Sequence, residues 1–163
     1  MSKTSMVLFS FGFSIFLLVV LLSPRQASIV MGDGPAKYVG TDSCKECHPT
    51  EYDSFKKYNK KAHSFTSIAA LKKGLTDAEL KKCYECHTTG YGKEGGFRSE
   101  QETPNLRDAG CEVCHGPGSI HKESGGDPQY IKGKLKAKDC EICHNSERIN
   151  AFKYKPLVYG GAH

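Results

Sequence analysis

Eight cysteines fall in four pairs: Cys44 with Cys47, Cys83 with Cys86, Cys111 with Cys114, and Cys140 with Cys143. Each pair is followed at once by a histidine: His48, His87, His115 and His144. Histidine is 7 of 163 residues, so four such placements by chance have odds on the order of a few per million. C-x-x-C-H is the attachment signature of c-type haem. The chemistry needs that spacing. Two thiols three positions apart share one side of a helical turn and reach the two vinyl groups of one porphyrin. The next imidazole then falls beneath the iron as proximal ligand.

Other uses of paired cysteines fit less well. Two Cys-four zinc sites would leave four identically placed histidines unexplained. A disulfide framework does not repeat C-x-x-C with a trailing histidine. Thioredoxin-like redox chemistry wants one such motif on a βαβ unit, and no such unit is legible. Four covalently bound haem c groups are therefore the expected cofactors.

Three histidines lie outside the motifs: His63, His121 and His163. Four irons ask for four distal ligands, so the count is one short. A lone histidine is ordinarily a surface or core residue, but here each of the three is a candidate distal ligand. His121 follows His115 by six residues, across Gly116-Pro117-Gly118. Six extended residues reach about 20 Å. Rounding a haem edge would take nearly all of that, so His121 is expected to serve a different haem and tie two haems together. His163 ends the chain after Tyr159-Gly160-Gly161-Ala162, and its competing reading is a frayed terminus. The unmatched iron is then five-coordinate, weakly ligated, or completed by another molecule. Beyond residue 22 the one methionine is Met31. Methionine ligation raises haem potential, so its scarcity predicts low-potential haems.

Few elements are available to position these groups. A helix is expected over residues 50–73, with Thr50 as N-cap, Asp53 three residues on, and Gly74 ending it. Tyr52, Phe55, Tyr58, Ala62, Phe65 and Ala69 give it one apolar face, with His63 nearby. A short helix should start at Thr76, with Glu79 completing a capping box, and run into Cys83. Residues 90–110 and 116–138 are rich in Gly, Pro and charge and read as loops. The motifs start 39, 28 and 29 residues apart, with no repeat beyond the motif itself. The expected fold is mainly α with extensive loops and no significant sheet, a small multihaem arrangement organised around four attached haems.

Composition points the same way. From Asp33 onward 43 of 131 residues are apolar, eight of them cysteine and only 14 Val, Ile or Leu. An ordinary globular chain has roughly 45–50% apolar residues counted with Gly. That is too little for a core of side chains alone. Eight cysteines and many aromatics argue against a disordered chain. Large apolar porphyrins would replace the missing side chains.

The N-terminus has Lys3, an apolar run at 6–22, then Ser23-Pro24-Arg25, the layout of a secretory signal. The run is slightly long for a signal and slightly short for a spanning helix. Residues 1–32 are thus a cleaved signal, with Ala27, Ser28 or Gly32 before the cut, or a retained membrane anchor. Residues 33–163 form the haem domain, exported to the periplasm or cell surface. The formal net charge is +5, and loss of Lys3 and Arg25 leaves 21 basic against 18 acidic residues. Four haems bring eight propionates, so the loaded protein is near about −1 oxidised and about −5 reduced. Nineteen of 23 basic residues are Lys. Lys56, Lys57, Lys60 and Lys61 form a solvated helix face or a docking patch. Nothing pairs a basic groove with a nucleic-acid reading motif, so no nucleic-acid partner is expected.

Cys83-Tyr-Glu-Cys86-His87-Thr-Thr-Gly-Tyr-Gly-Lys-Glu-Gly-Gly-Phe97, then Gly110-Cys-Glu-Val-Cys-His-Gly-Pro-Gly118 with His121 after it, resembles the tetrahaem cytochrome c-554 family. Cys44 to His48 followed by Ala62-His63-Ser64 fits the same pattern, and the resemblance spans residues 38–145. It implies a helix-and-loop fold around haems stacked in close pairs. It also implies His48 with His121 on the first haem, His144 with His63 on the fourth, and His115 with His163 on the third. His87 would hold a haem with no distal protein ligand, in agreement with the histidine deficit. The family consists of exported carriers, which implies electrons taken from an oxidoreductase of nitrogen metabolism and passed to a membrane quinone or cytochrome pool.

The expected function is electron transfer between redox protein donors and acceptors rather than enzymatic turnover. Two other classes compete. An open haem at His87, near Thr88, Thr89, Lys93 and Glu94, offers a site for NO, nitrite or hydroxylamine chemistry. Alternatively the chain is a subunit of an extracellular haem filament, with His163 completing the iron of the next molecule. The oligomeric state stays open between these readings.

Overall fold

The computed structural model describes residues 34–145. The apolar run at 6–22, the boundary at residue 32, Met31 and His163 lie outside the described residues. Among the described residues there are helices and turns and no strand. The α-helices are α1 (Pro49–Tyr58), α2 (Phe65–Leu71), α3 (Asp77–His87), α4 (Cys111–His115), α5 (Ser119–Glu123) and α6 (Ala137–Cys140). Single 3-10 turns at Thr41–Cys44, Lys60–His63, Lys72–Gly74, Pro104–Leu106 and Pro128–Tyr130 link them. The mainly helical, loop-rich expectation holds.

The single helix expected over 50–73 does not form. Pro49 starts α1 at its first position, where a missing N–H costs nothing, and His48 precedes it as N-cap in place of Thr50. The chain then breaks at Asn59, whose backbone is extended (φ −89°, ψ 120°). Its side-chain oxygen accepts the Lys61 amide at 2.9 Å. Such a local side-chain bond competes with the helical ladder and turns the chain. A 3-10 turn follows, and α2 starts with a shifted face. Ile68 is buried where Ala69 was expected, and Ala69 is exposed.

Helix α3 forms as its capping box requires. Thr76 Oγ1 accepts the Glu79 amide at 3.3 Å, and Glu79 Oε2 accepts the Thr76 amide at 2.9 Å. The helix runs past Cys83 to His87, so the whole second motif is helical. The loop at 90–110 folds back on this helix. The Phe97 amide donates to Thr89 O and the Thr89 amide to Leu106 O, each at 2.9 Å. Gly96 is required there, because a Cβ would run into the Gly90 carbonyl. The second expected loop, 116–138, is more ordered than a loop: it contains α5 and the Pro128–Tyr130 turn.

The side-chain core is small and lies where α2, α3 and the 90–110 loop meet. Phe65, Ile68, Phe97 and Leu106 are buried together, with Tyr38, Leu80, Cys83, Tyr84 and Tyr91 packed around them. Phe97 meets Phe65 at 5.9 Å and Tyr84 at 5.1 Å between ring centroids, both tilted. Such arrangements are favoured by the ring quadrupoles.

Candidate functional site

Each C-x-x-C-H motif makes a helical turn. The second lies on α3 and the third is α4. In the first, the His48 amide donates to Cys44 O at 2.9 Å; in the fourth, the His144 amide donates to Cys140 O at 2.9 Å. None of the eight cysteines forms a disulfide.

The turns meet in two pairs. The Cys44 thiol hydrogen-bonds to Cys111, and the Cys143 thiol to Cys86. The first motif thus stands against the third, and the second against the fourth. The shared bond raises the Cys44 thiol, with burial adding to it. The same bond lowers Cys111 to about 7. Burial, then the bond to Cys86, pushes Cys143 up to about 12. Burial also raises Cys114 and Cys140. The third motif is seated on the first through Gly110, where a Cβ would collide with Thr41 Oγ1.

His48 and His121 come together. Their ring centroids are 6.3 Å apart and their planes differ by 19°. Two imidazoles on opposite sides of one metal, each bonded at about 2 Å through a ring nitrogen, have centroids about 6 Å apart. The separation of the two rings is the one that a shared iron would need. His121 is separated from His115 by the turn at Gly116 (φ +84°) and presented by α5.

Three rings are held from behind. Nδ1 of His87 donates to Ser64 O at 3.0 Å, Nδ1 of His115 to Lys132 O at 2.7 Å, and Nδ1 of His121 to Asp127 O at 2.9 Å. A histidine whose Nδ1–H is fixed by a carbonyl presents Nε2 as the metal-binding lone pair, in a set orientation.

His63 is placed differently. It is exposed, and its Nε2 bonds back to Lys56 O at 3.1 Å. Lys61, two residues earlier, stands near the fourth motif. Burial, then the charge of Lys61, lowers His144.

Two residues that hold the site were not singled out from the sequence. Ser64 accepts the His87 ring with its carbonyl, and its hydroxyl donates to His87 O and accepts the Ala109 amide, both at 2.8 Å. Glu112, inside the third motif, is a buried carboxylate. A serine after a candidate ligand, or an acidic residue between two cysteines, carries no periodicity that marks it; only the fold reveals its partners.

The family described as cytochrome c554 and c-prime matches residues 43–116. Cytochrome c-554 of Nitrosomonas europaea is 33% identical over 147 residues, covering 78% of this chain. The chain spans 63% of that relative's length, just under two thirds. The solved structure of reduced cytochrome c554 from Nitrosomonas europaea superposes with a TM-score of 0.57 at 23% identity, over 78% of this chain and 84% of that one. It shares the fold.

Proposed function

We propose that the chain is a member of the cytochrome c-554 family, to which its similarities point, and an exported tetrahaem c-type cytochrome that passes electrons between redox proteins. One haem c is held at each motif: by Cys44 and Cys47, Cys83 and Cys86, Cys111 and Cys114, and Cys140 and Cys143. Bound haem iron supplies one-electron chemistry, and the protein tunes it through ligands, second-shell bonds and burial. His48, His87, His115 and His144 are the proximal ligands. His121 serves the first haem opposite His48. His63 is assigned to the fourth haem and His163 to the third, which leaves the haem at His87 without a distal protein ligand.

The observation that carries this reading is the His48–His121 pair, at the separation one iron asks for. The carbonyls of Ser64, Lys132 and Asp127 hold the proton on Nδ1 of three ligands and keep their rings from rotating. They also make those imidazoles more electron-rich. The contact of the Cys44 and Cys111 thiols, and of Cys86 and Cys143, supports haems in two close pairs. Lys3 and the apolar run at 6–22 support export to the periplasm. Among the described residues no helix is long and apolar enough to cross a membrane. The electron donor is assigned to the oxidoreductases of nitrogen metabolism, and the acceptor to a membrane quinone or cytochrome pool.

Intact mass and reductive titration of the mature protein test the reading. Four covalent haems and four one-electron equivalents per chain are expected. Fewer than four thioether-bound haems would overturn it. The same mass fixes where the N-terminal segment is cut.

A further inference from the structure

Glu112 lies between the two cysteines of the third motif and is 3% exposed. A carboxylate taken so far from water is costly unless its oxygens are satisfied. Oε1 accepts the Val39 amide at 2.9 Å and the Gly118 amide at 2.8 Å. Oε2 accepts the Gly40 amide at 2.7 Å and the Val39 amide at 3.2 Å. Among the described residues no lysine or arginine forms an ion pair with it. Both oxygens are therefore satisfied by backbone amides.

The three amides belong to segments far apart in sequence. Gly40 leads directly into the Thr41–Cys44 turn, which opens the first motif and places His48. Gly118 precedes α5, which presents His121. One carboxylate thus joins the two segments that bring His48 and His121 face to face, and does so from inside the third motif. Neighbouring bonds brace the same junction. The Lys37 amide donates to Ser119 Oγ at 2.8 Å, and the Ser119 amide to Lys37 O at 3.1 Å.

We propose that Glu112 is a positioning residue that sets the mutual alignment of His48 and His121, and a fixed anion that lowers the potentials of the haems held at the first and third motifs. The inference rests on the haem assignment above. A buried negative charge favours the ferric over the ferrous state, and it acts strongly where the dielectric is low. Alignment follows from the three amides: release of Gly118 or Gly40 lets one imidazole turn relative to the other.

The test compares parent, E112Q and E112D as full-length holoproteins. Haem content by intact mass comes first; a parent with fewer than four haems defeats the haem assignment, not the role of Glu112. Potentiometric titration monitored by electron paramagnetic resonance follows, since low-spin ferric signals report the angle between axial imidazole planes. In E112Q, which keeps shape and loses charge, two haem potentials shift upward and one low-spin signal changes. In E112D, which keeps charge but is one methylene short of the amides, the potentials stay near the parent's while the low-spin signal still changes. A four-haem E112Q whose potentials and spectrum superpose on the parent's overturns the proposal. Should E112Q mature with fewer haems, E112D decides: a full haem complement with an unchanged low-spin signal overturns it.

Discussion

Between residues 55 and 112 lie all the buried hydrophobic side chains among the described residues; between 119 and 145 there is none. The first stretch has an aromatic core of Phe65, Phe97 and their neighbours, and the second motif is built into it through Cys83 and Tyr84. The second stretch carries His121 and the fourth motif on one-turn helices, and Ile142 is 71% exposed. The stretch is held by hydrogen bonds of ring, side chain and backbone. Lys132 exchanges two with His115, ring to carbonyl and amide to carbonyl, and Asp127 O holds His121. Where side chains close a core, a porphyrin adds to existing structure. Where they do not, a porphyrin would have to supply the apolar contact itself, and folding there would depend on haem attachment.

Removing the fourth haem should break the second stretch and spare the first. The double substitution Cys140→Ala, Cys143→Ala abolishes that attachment. Limited proteolysis followed by mass spectrometry should then cut within 119–145 while 55–110 stays protected. Equal cutting of both stretches would erase the contrast.

The converse variant is Phe97→Ala. Truncating a buried aromatic costs about 3–5 kcal/mol, so chemical denaturation should show a large loss of stability. The ferric spectrum of the His48–His121 haem should change little below the transition.

Gly110→Ala tests the seam between the first and third motifs. The added methyl meets Thr41 Oγ1. Overpacking of this kind costs about 1–3 kcal/mol. It should appear in the denaturation midpoint and as a shift in the haems of those two motifs.

The smallest effect belongs to Thr76→Ala, which removes the cap of α3 at about 1 kcal/mol. Thr76 bonds hold the Glu79 carboxyl below its usual range. A lowered carboxylate stabilises the fold above its unfolded pKa and loses that contribution as pH falls through the folded one. The stability gap between parent and variant should therefore be full at neutral pH and shrink on acidification below the ordinary glutamate range.

The same division sets what could be read from sequence. Covalent chemistry writes itself locally, so Cys44 to His48 and its three counterparts are visible as spacing alone. The cap at Thr76 and Glu79 is also local, and α3 starts where those residues require. Asn59 is harder: its side chain offers a turn that the helical periodicity of Tyr52, Phe55 and Ala62 outweighs on paper but not in the fold. The low apolar content after Asp33 is legible as composition, but that the apolar side chains of 119–145 stay unburied is not. Glu112 was invisible as a site residue, because its three partners are backbone amides brought together by tertiary structure.

The pairing of His48 with His121 is tested most directly by carbon monoxide binding to the dithionite-reduced holoprotein and its His121→Ala variant. Ferrous haem binds carbon monoxide where an axial position is open. One haem in four should respond in the parent, at His87, and two in four in the variant, with the first haem turning high-spin. A variant that matures with four haems and binds no more carbon monoxide than its parent would contradict the pairing.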